Sequence, residues 1–169
     1  MRLTPIALSV ALVLATMASS GQSQKPDDQI DARSVEIARQ GDALVAAGRW
    51  NEAMDMFETA LAVDPRNRQA YIGLARAAEG QKLPGKAIKF YFEALKLEPN
   101  DVVALAGQGE ALVQRGAVER AKKNLDRIRA LCNNRCPQVA TLAAAIAKGP
   151  PPEVLTARTP ATAPPANQN

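Results

Sequence analysis

The chain has 169 residues, enough for one ordinary domain. Apolar residues make up 47% and aromatic residues only 4%, so a core must be assembled from many Ala and Leu side chains, which favours closely packed helices. A net charge of +4 is too small an excess to point to an acidic partner, and the lack of any histidine excludes Ser-His-Asp and Cys-His catalysis and a histidine general base.

In chain order, the first segment reads as an address. Arg2 supplies a positive start, "IALSVALVLATMA" at residues 6–18 an apolar run, and "MASSGQ" at residues 17–22 the small residues of a cleavage point. We expect a signal peptide over residues 1–21 and export, with the periplasm as destination. A run of about thirteen apolar residues falls short of the roughly 20 that a spanning helix needs, so no transmembrane helix is expected in the mature chain. A lipoprotein is not expected either, since no Cys precedes Cys132. Export also takes the chain away from nucleic acid. Residues 22–33 form a polar lead-in.

From residue 34 the sequence repeats itself. "ALAVDPRNRQAY", from Ala60 to Tyr71, returns 34 residues later as "ALKLEPNDVVAL", from Ala94 to Leu105. A period of this length marks a supersecondary unit stacked on its copies, because one unit cannot bury its own apolar face. The units run over residues 34–67, 68–101 and 102–135. The first half of each carries apolar or small residues at the i, i+3, i+4, i+7 spacing of a helix buried on one side. Gly48, Gly80 and Gly116 then offer left-handed caps. Second halves open at Trp50, Pro84 and Val118, and Pro65 and Pro99 close two of them. Asn67 and Asp101 are placed to cap the helices that come next.

Small Gly41, Ala75 and Gly109 recur in the first helices; Ala53, Ala87 and Ala121, then Phe57, Tyr91 and Leu125, then Ala60, Ala94 and Ile128 recur in the second. In these residues, and in Pro65 and Pro99, the chain resembles the tetratricopeptide repeat family over about 100 of its 169 residues. Small residues at a helix crossing let two helices approach while an aromatic or Leu fills the space beside them. The third unit departs from the pattern, with Ile128 in place of Ala and Asn133 in place of Pro. The resemblance implies an all-α, right-handed superhelical solenoid of three helix-turn-helix repeats.

The far edge must then be covered, as solenoids need a cap to stay soluble. In "LCNNRCPQVATLAAAIAKG", Pro137 opens a helix over residues 137–148 with Val139, Leu142, Ala143 and Ile146 on one face. Cys132 and Cys136 stand on either side of an Asn-Asn turn just before it. As the only two cysteines of an exported chain they are expected to form a disulfide. A redox-active pair is the alternative. Two thiolates without histidine are too few for zinc, and no metal or other cofactor is expected. Residues 149–169 hold six of the twelve prolines and almost nothing that could form a core, which predicts a disordered or polyproline-like tail.

Every Asp and Glu reads as a cap or a solvated charge, and "GQG" at residues 107–109 lies within a helical pattern without a preceding strand. The expectation is a non-enzyme that binds a segment of another envelope protein. The resemblance implies where: the first helices line a concave groove. Position by position it would present Arg39 and Asp42 from the first unit; Gln69, Ile72, Gly73 and Arg76 from the second; and Val103, Gly107 and Glu110 from the third, with Val35, Ala38, Val45, Ala46, Glu79, Ala106 and Val113 at the remaining groove positions. In this reading Gly73 and Gly107 leave backbone open to a ligand, Ile72 and Val103 offer apolar contact, and Arg39 and Arg76 bind a carboxylate or carbonyl. The opposing reading is that the Gly and Ala only pack helix on helix. The carboxylate-clamp subtype is not matched, since its positions hold Ala38, Asp42, Gly73, Val103 and Gly107. Weak self-association through the solenoid ends and a basic outer face on the last repeat (Arg120, Lys122, Lys123, Arg127, Arg129 and Arg135) are further expectations.

Overall fold

The computed structural model describes residues 29–133, 135–152 and 154. The expected signal peptide, most of the lead-in and the tail from residue 155 lie outside the described residues. Among those residues there are seven helices and no strand: α1 (Ala32–Ala46), α2 (Trp50–Val63), α3 (Arg68–Gly80), α4 (Pro84–Leu97), α5 (Val102–Gln114), α6 (Val118–Cys132) and α7 (Pro137–Lys148). Each helix packs on the next, α1 also touches α3, α3 touches α5, and α7 lies against both α5 and α6. This is the expected all-α solenoid, three helix pairs closed by a seventh helix.

Local chemistry sets the helix starts. Asp31, Asn67 and Asp101 cap α1, α3 and α5: their side-chain oxygens accept from Arg33 N at 2.8 Å, from Ala70 N at 3.2 Å, and from Val103 N and Ala104 N at 2.8 Å. Pro84 and Pro137 begin α4 and α7, where a missing N–H costs nothing. Because Asp31 caps, α1 starts two residues before the expected boundary at residue 34.

The helix ends hold one correction. Gly48 and Gly116 are left-handed, with φ of 72° and 74°, as expected, but Gly80 is not. It is the last residue of α3, and Lys82 takes the left-handed conformation at φ 59°. Lys82 stands 34 residues after Gly48 and 34 before Gly116, so the period selects the position and overrides the residue type. Gly80 meets a different need: a Cβ there would come within 2.5 Å of the Trp50 ring. At the end of α6, Asn133 is left-handed at φ 46° where the earlier units use proline.

Packing obeys the repeat. Ala53, Ala87 and Ala121, with Ala60, Ala94 and Ile128, are fully buried, and Phe57, Tyr91 and Leu125 are buried beside them. Two small residues flank the Phe57 ring: Gly41 from its own unit, where a Cβ would approach to 2.7 Å, and Gly73 from the next, where it would approach to 2.2 Å. Buried polar groups tie the first turn together. Ser34 Oγ donates to Ala60 O at 2.7 Å and accepts from Asn67 Nδ2 at 2.8 Å, while Asp64 accepts from Asp31 N at 3.1 Å. One unit on, Arg68 pairs with Asp101.

At the far edge, fully buried Leu142 of α7 fits onto Gly109, and Val139, Ala143 and Ile146 pack with Leu105, Leu125 and Ile128. Cys132 and Cys136 join this cluster with their sulfurs at bonding distance and Cα atoms 5.9 Å apart, within the span of a disulfide.

Candidate partner groove

Among the described residues, hollows lie along α1, α3, α5 and α7, three of which bear on the groove. The first, about 360 Å³, is walled by Ile30, Val35, Ala38, Arg39 and Asp42 on one side and by Asn67, Arg68 and Gln69 on the other. The second, about 260 Å³, lies among Arg76, Glu79, Tyr91, Val103, Ala106, Gly107 and Glu110, and Gln138 and Thr141 of α7 close it. The third, about 660 Å³, joins Glu110, Val113 and Gln114 to Ala145, Lys148 and residues 149–152. Arg76 reaches back to Asp42 at 3.4 Å, so an ion pair separates the first hollow from the second.

Of the nine residues read from the sequence as groove positions, Arg39, Asp42 and Gln69 fall in the first hollow and Arg76, Val103, Gly107 and Glu110 in the second. Ile72 and Gly73 do not reach the surface. Ile72 is 3% exposed, packed in the core between the units, and Gly73 is buried under the Phe57 ring. The expectations that Ile72 offers apolar contact and that Gly73 leaves backbone open are therefore corrected: Ile72 is packed into the core cluster with Ala75, Tyr91 and Ala104, and the aromatic of the preceding unit takes the space at Gly73. At Gly107 the Tyr91 ring does the same, since a Cβ added there would lie 2.2 Å from it, although part of Gly107 still faces the second hollow. Helix-on-helix packing accounts for both glycines. The exposed apolar side chains here are Val103, one of the two expected, and Val35, 47% and 51% accessible.

The charges are mostly matched. Arg39 makes two bonds to Glu36, at 2.9 and 2.7 Å, and with Gln40 holds that carboxyl at about 2. Glu79 is the exception. Burial pushes its carboxyl up to about 7 even though the Tyr91 hydroxyl donates to it at 3.0 Å. Burial also raises Glu110, and it raises the Tyr91 hydroxyl, which the neighbouring Glu79 charge pushes further in the same direction. Tyr91 was legible only as a core aromatic; the signal for more was its hydroxyl, absent from Phe57 in the equivalent place, since a buried Tyr hydroxyl needs a partner. Thr141 lies beyond the three units read from the sequence, though extending the period by 34 from Gly107 reaches it.

Among the described residues no group of three or more His, Cys, Asp or Glu side chains could hold a metal ion, and no helix is long and apolar enough to cross a membrane. What the groove offers is non-covalent recognition: exposed valines, amide and hydroxyl groups, and acids and bases held on rigid helices.

Comparison with known proteins agrees with this fold. Residues 38–102 match a tetratricopeptide repeat family model. A curated relative, tetratricopeptide repeat protein 36 of Caenorhabditis elegans, is 41% identical over 64 residues, which are 38% of this chain and 36% of that protein, so the chain spans about a third of the relative it matches. Among solved structures, the Sgt2 TPR domain from Aspergillus fumigatus is 19% identical with a TM-score of 0.65, covering 89% of this chain and 94% of that one. The Yersinia enterocolitica type III secretion chaperone SycD, in complex with a peptide of the translocator YopD, is 17% identical with a TM-score of 0.60, covering 71% and 92%. The first TPR of Spaghetti (RPAP3), bound to an HSP90 peptide, is 22% identical with a TM-score of 0.62, covering 70% and 97%.

Proposed function

From a chain whose repeats are tetratricopeptide repeats, we propose a non-catalytic adaptor of the bacterial cell envelope that holds an extended or helical segment of another protein in the groove along α1, α3 and α5. The observation that carries this reading is the groove itself. Exposed Val35 and Val103 stand beside charged groups on rigid helices, and α7 closes one end. Two of the structural neighbours, SycD with its YopD peptide and the Spaghetti repeat with its HSP90 peptide, hold a segment of a partner, which favours the same use here. The apolar run at residues 6–18 supports export to the periplasm, and assembly of a secretion, pilus or cytochrome-maturation complex is the class of task such an adaptor serves. A thiol redox role is less favoured, because Cys132 and Cys136 pack into the apolar cluster between α5, α6 and α7.

The test is capture from envelope extract by the parent chain and by a chain carrying Val35→Asp and Val103→Asp, both read by mass spectrometry. These two side chains are exposed, so circular dichroism should show equal folding. One protein enriched by the parent and lost by the variant supports the groove. Equal capture by both moves attention to the basic face of α6. Fractionation and the intact mass of the chain from the envelope test export, with a new N-terminus expected near residues 18–22.

A further inference from the structure

The exposed side of α2, α4 and α6 divides by charge. None of the three hollows takes an exposed side chain from these helices, so that side lies outside the groove. Helix α2 carries Glu52, Asp55 and Glu58, all exposed, and no base. The 34-residue period carries the places of Glu52 and Asp55 onto Lys86 and Lys89 of α4, and then onto Arg120 and Lys123 of α6, again all exposed. Equivalent places in stacked units share a face, so the sign of that face changes from acidic to basic after the first unit. Helices α4 and α6 are neighbours on it: Ile88 shares a core cluster with Ala121, and Leu95 shares one with Leu125 and Ile128.

The acids of α4 and α6 are already engaged. Glu93 pairs with Lys96 at 2.7 Å, Glu119 with Lys122 at 2.7 Å, and Asp126 with Arg129 at 3.4 Å. Lys86, Lys89, Arg120 and Lys123 make no ion pair among the described residues. Phe92 stands one turn after Lys89 and is 55% accessible, the most exposed large apolar side chain described, with the Lys96 ammonium 6.0 Å from its ring centre. A protein carboxylate is best held by the planar fork of Arg, whereas three of these four cations are Lys, point charges on flexible stems. A layer of anionic headgroups asks for no fork. It asks for cations held close together and an aromatic side chain that can enter the interface beside them.

We propose that the outer face of α4 and α6 docks on a membrane surface rich in anionic lipids, with Lys86, Lys89, Arg120 and Lys123 against the headgroups and Phe92 entered among them. The contact leaves the groove open, so it stands apart from the adaptor reading.

Co-sedimentation with vesicles tests it, using the chain from residue 22, which keeps all seven helices and every buried residue described. Circular dichroism checks that each variant is folded. The vesicles are phosphatidylcholine alone or with about one third phosphatidylglycerol. The expected result is binding to the anionic vesicles, weakened by salt, and none to the neutral ones. Each cation at such a surface adds roughly fivefold to binding, so Lys89→Gln with Lys123→Gln should weaken it roughly twentyfold, and Phe92→Ser should weaken it as well. Arg33→Gln with Arg49→Gln removes the same charge away from this face and should leave binding within about twofold of the parent. Failure to bind anionic vesicles, or equal binding to neutral ones, would overturn the proposal. An equal loss in the Arg33 and Arg49 pair would assign the binding to net charge and overturn it too, as would full binding by Phe92→Ser. Should vesicle binding fail while partner capture succeeds, the adaptor reading survives alone; the reverse outcome leaves a membrane-bound chain whose groove has no partner.

Discussion

Phe57 shows what a single residue decides. Its ring fills the space that Gly41 and Gly73 leave, so a methyl group at Gly73 has no room without moving the ring or the helix. Gly73→Ala should lower stability by about 1–3 kcal/mol in urea unfolding; an unchanged midpoint would mean that the ring is not held there. Glu79 predicts a pH effect. Its carboxyl is at about 7 in the fold against 4.5 when free, so the folded state binds the proton more tightly. Its stabilising contribution is therefore complete below about pH 4.5 and is lost as pH rises through about 7. The loss is on the order of 3 kcal/mol. Glu79→Gln keeps an acceptor for the Tyr91 hydroxyl and should flatten that decline, measured as unfolding midpoints from pH 5 to 8 in parent and variant.

At the scale of elements, helix ends are where residue preference and repeat geometry compete. Lys82 is left-handed because its place in the period demands it, although an L side chain is strained there. Lys82→Gly should stabilise the chain by about 0.5–1 kcal/mol, read in the same unfolding assay, and a loss of stability would show that the Lys82 side chain matters more than its backbone. The final helix predicts a larger effect. Leu142 is fully buried against Gly109 and the core of the third unit. Leu142→Ala should cost about 2–5 kcal/mol and promote aggregation as the edge opens. If Cys132 and Cys136 are joined, reduction should cost only about 1–2 kcal/mol, since the loop is short. A reduction effect as large as that of Leu142→Ala would make the cysteine pair, and not the helix, the main fastening of the cap.

For the whole molecule, the 34-residue period, the caps Asn67 and Asp101, the recurring small residues and the apolar face of residues 137–148 determined by themselves that the chain is a helical solenoid with a cap. Each of these is a local or strictly periodic signal, and a stack of like units transmits local signals to the whole. The groove was legible only in part, because position in a repeat says which face a residue is on and not what already occupies that face. Only the tertiary structure decided that the Phe57 and Tyr91 rings fill the places of Gly73 and Gly107, that Ile72 is core, and that Gly80 serves the Trp50 ring while Lys82 turns the chain. It also brought Glu79 and Tyr91, twelve residues apart and on different helices, into one hydrogen bond at the groove wall. Such contacts depend on how neighbouring units cross, at distances shorter than a methyl group tolerates, and a linear pattern of apolar and small residues does not specify them.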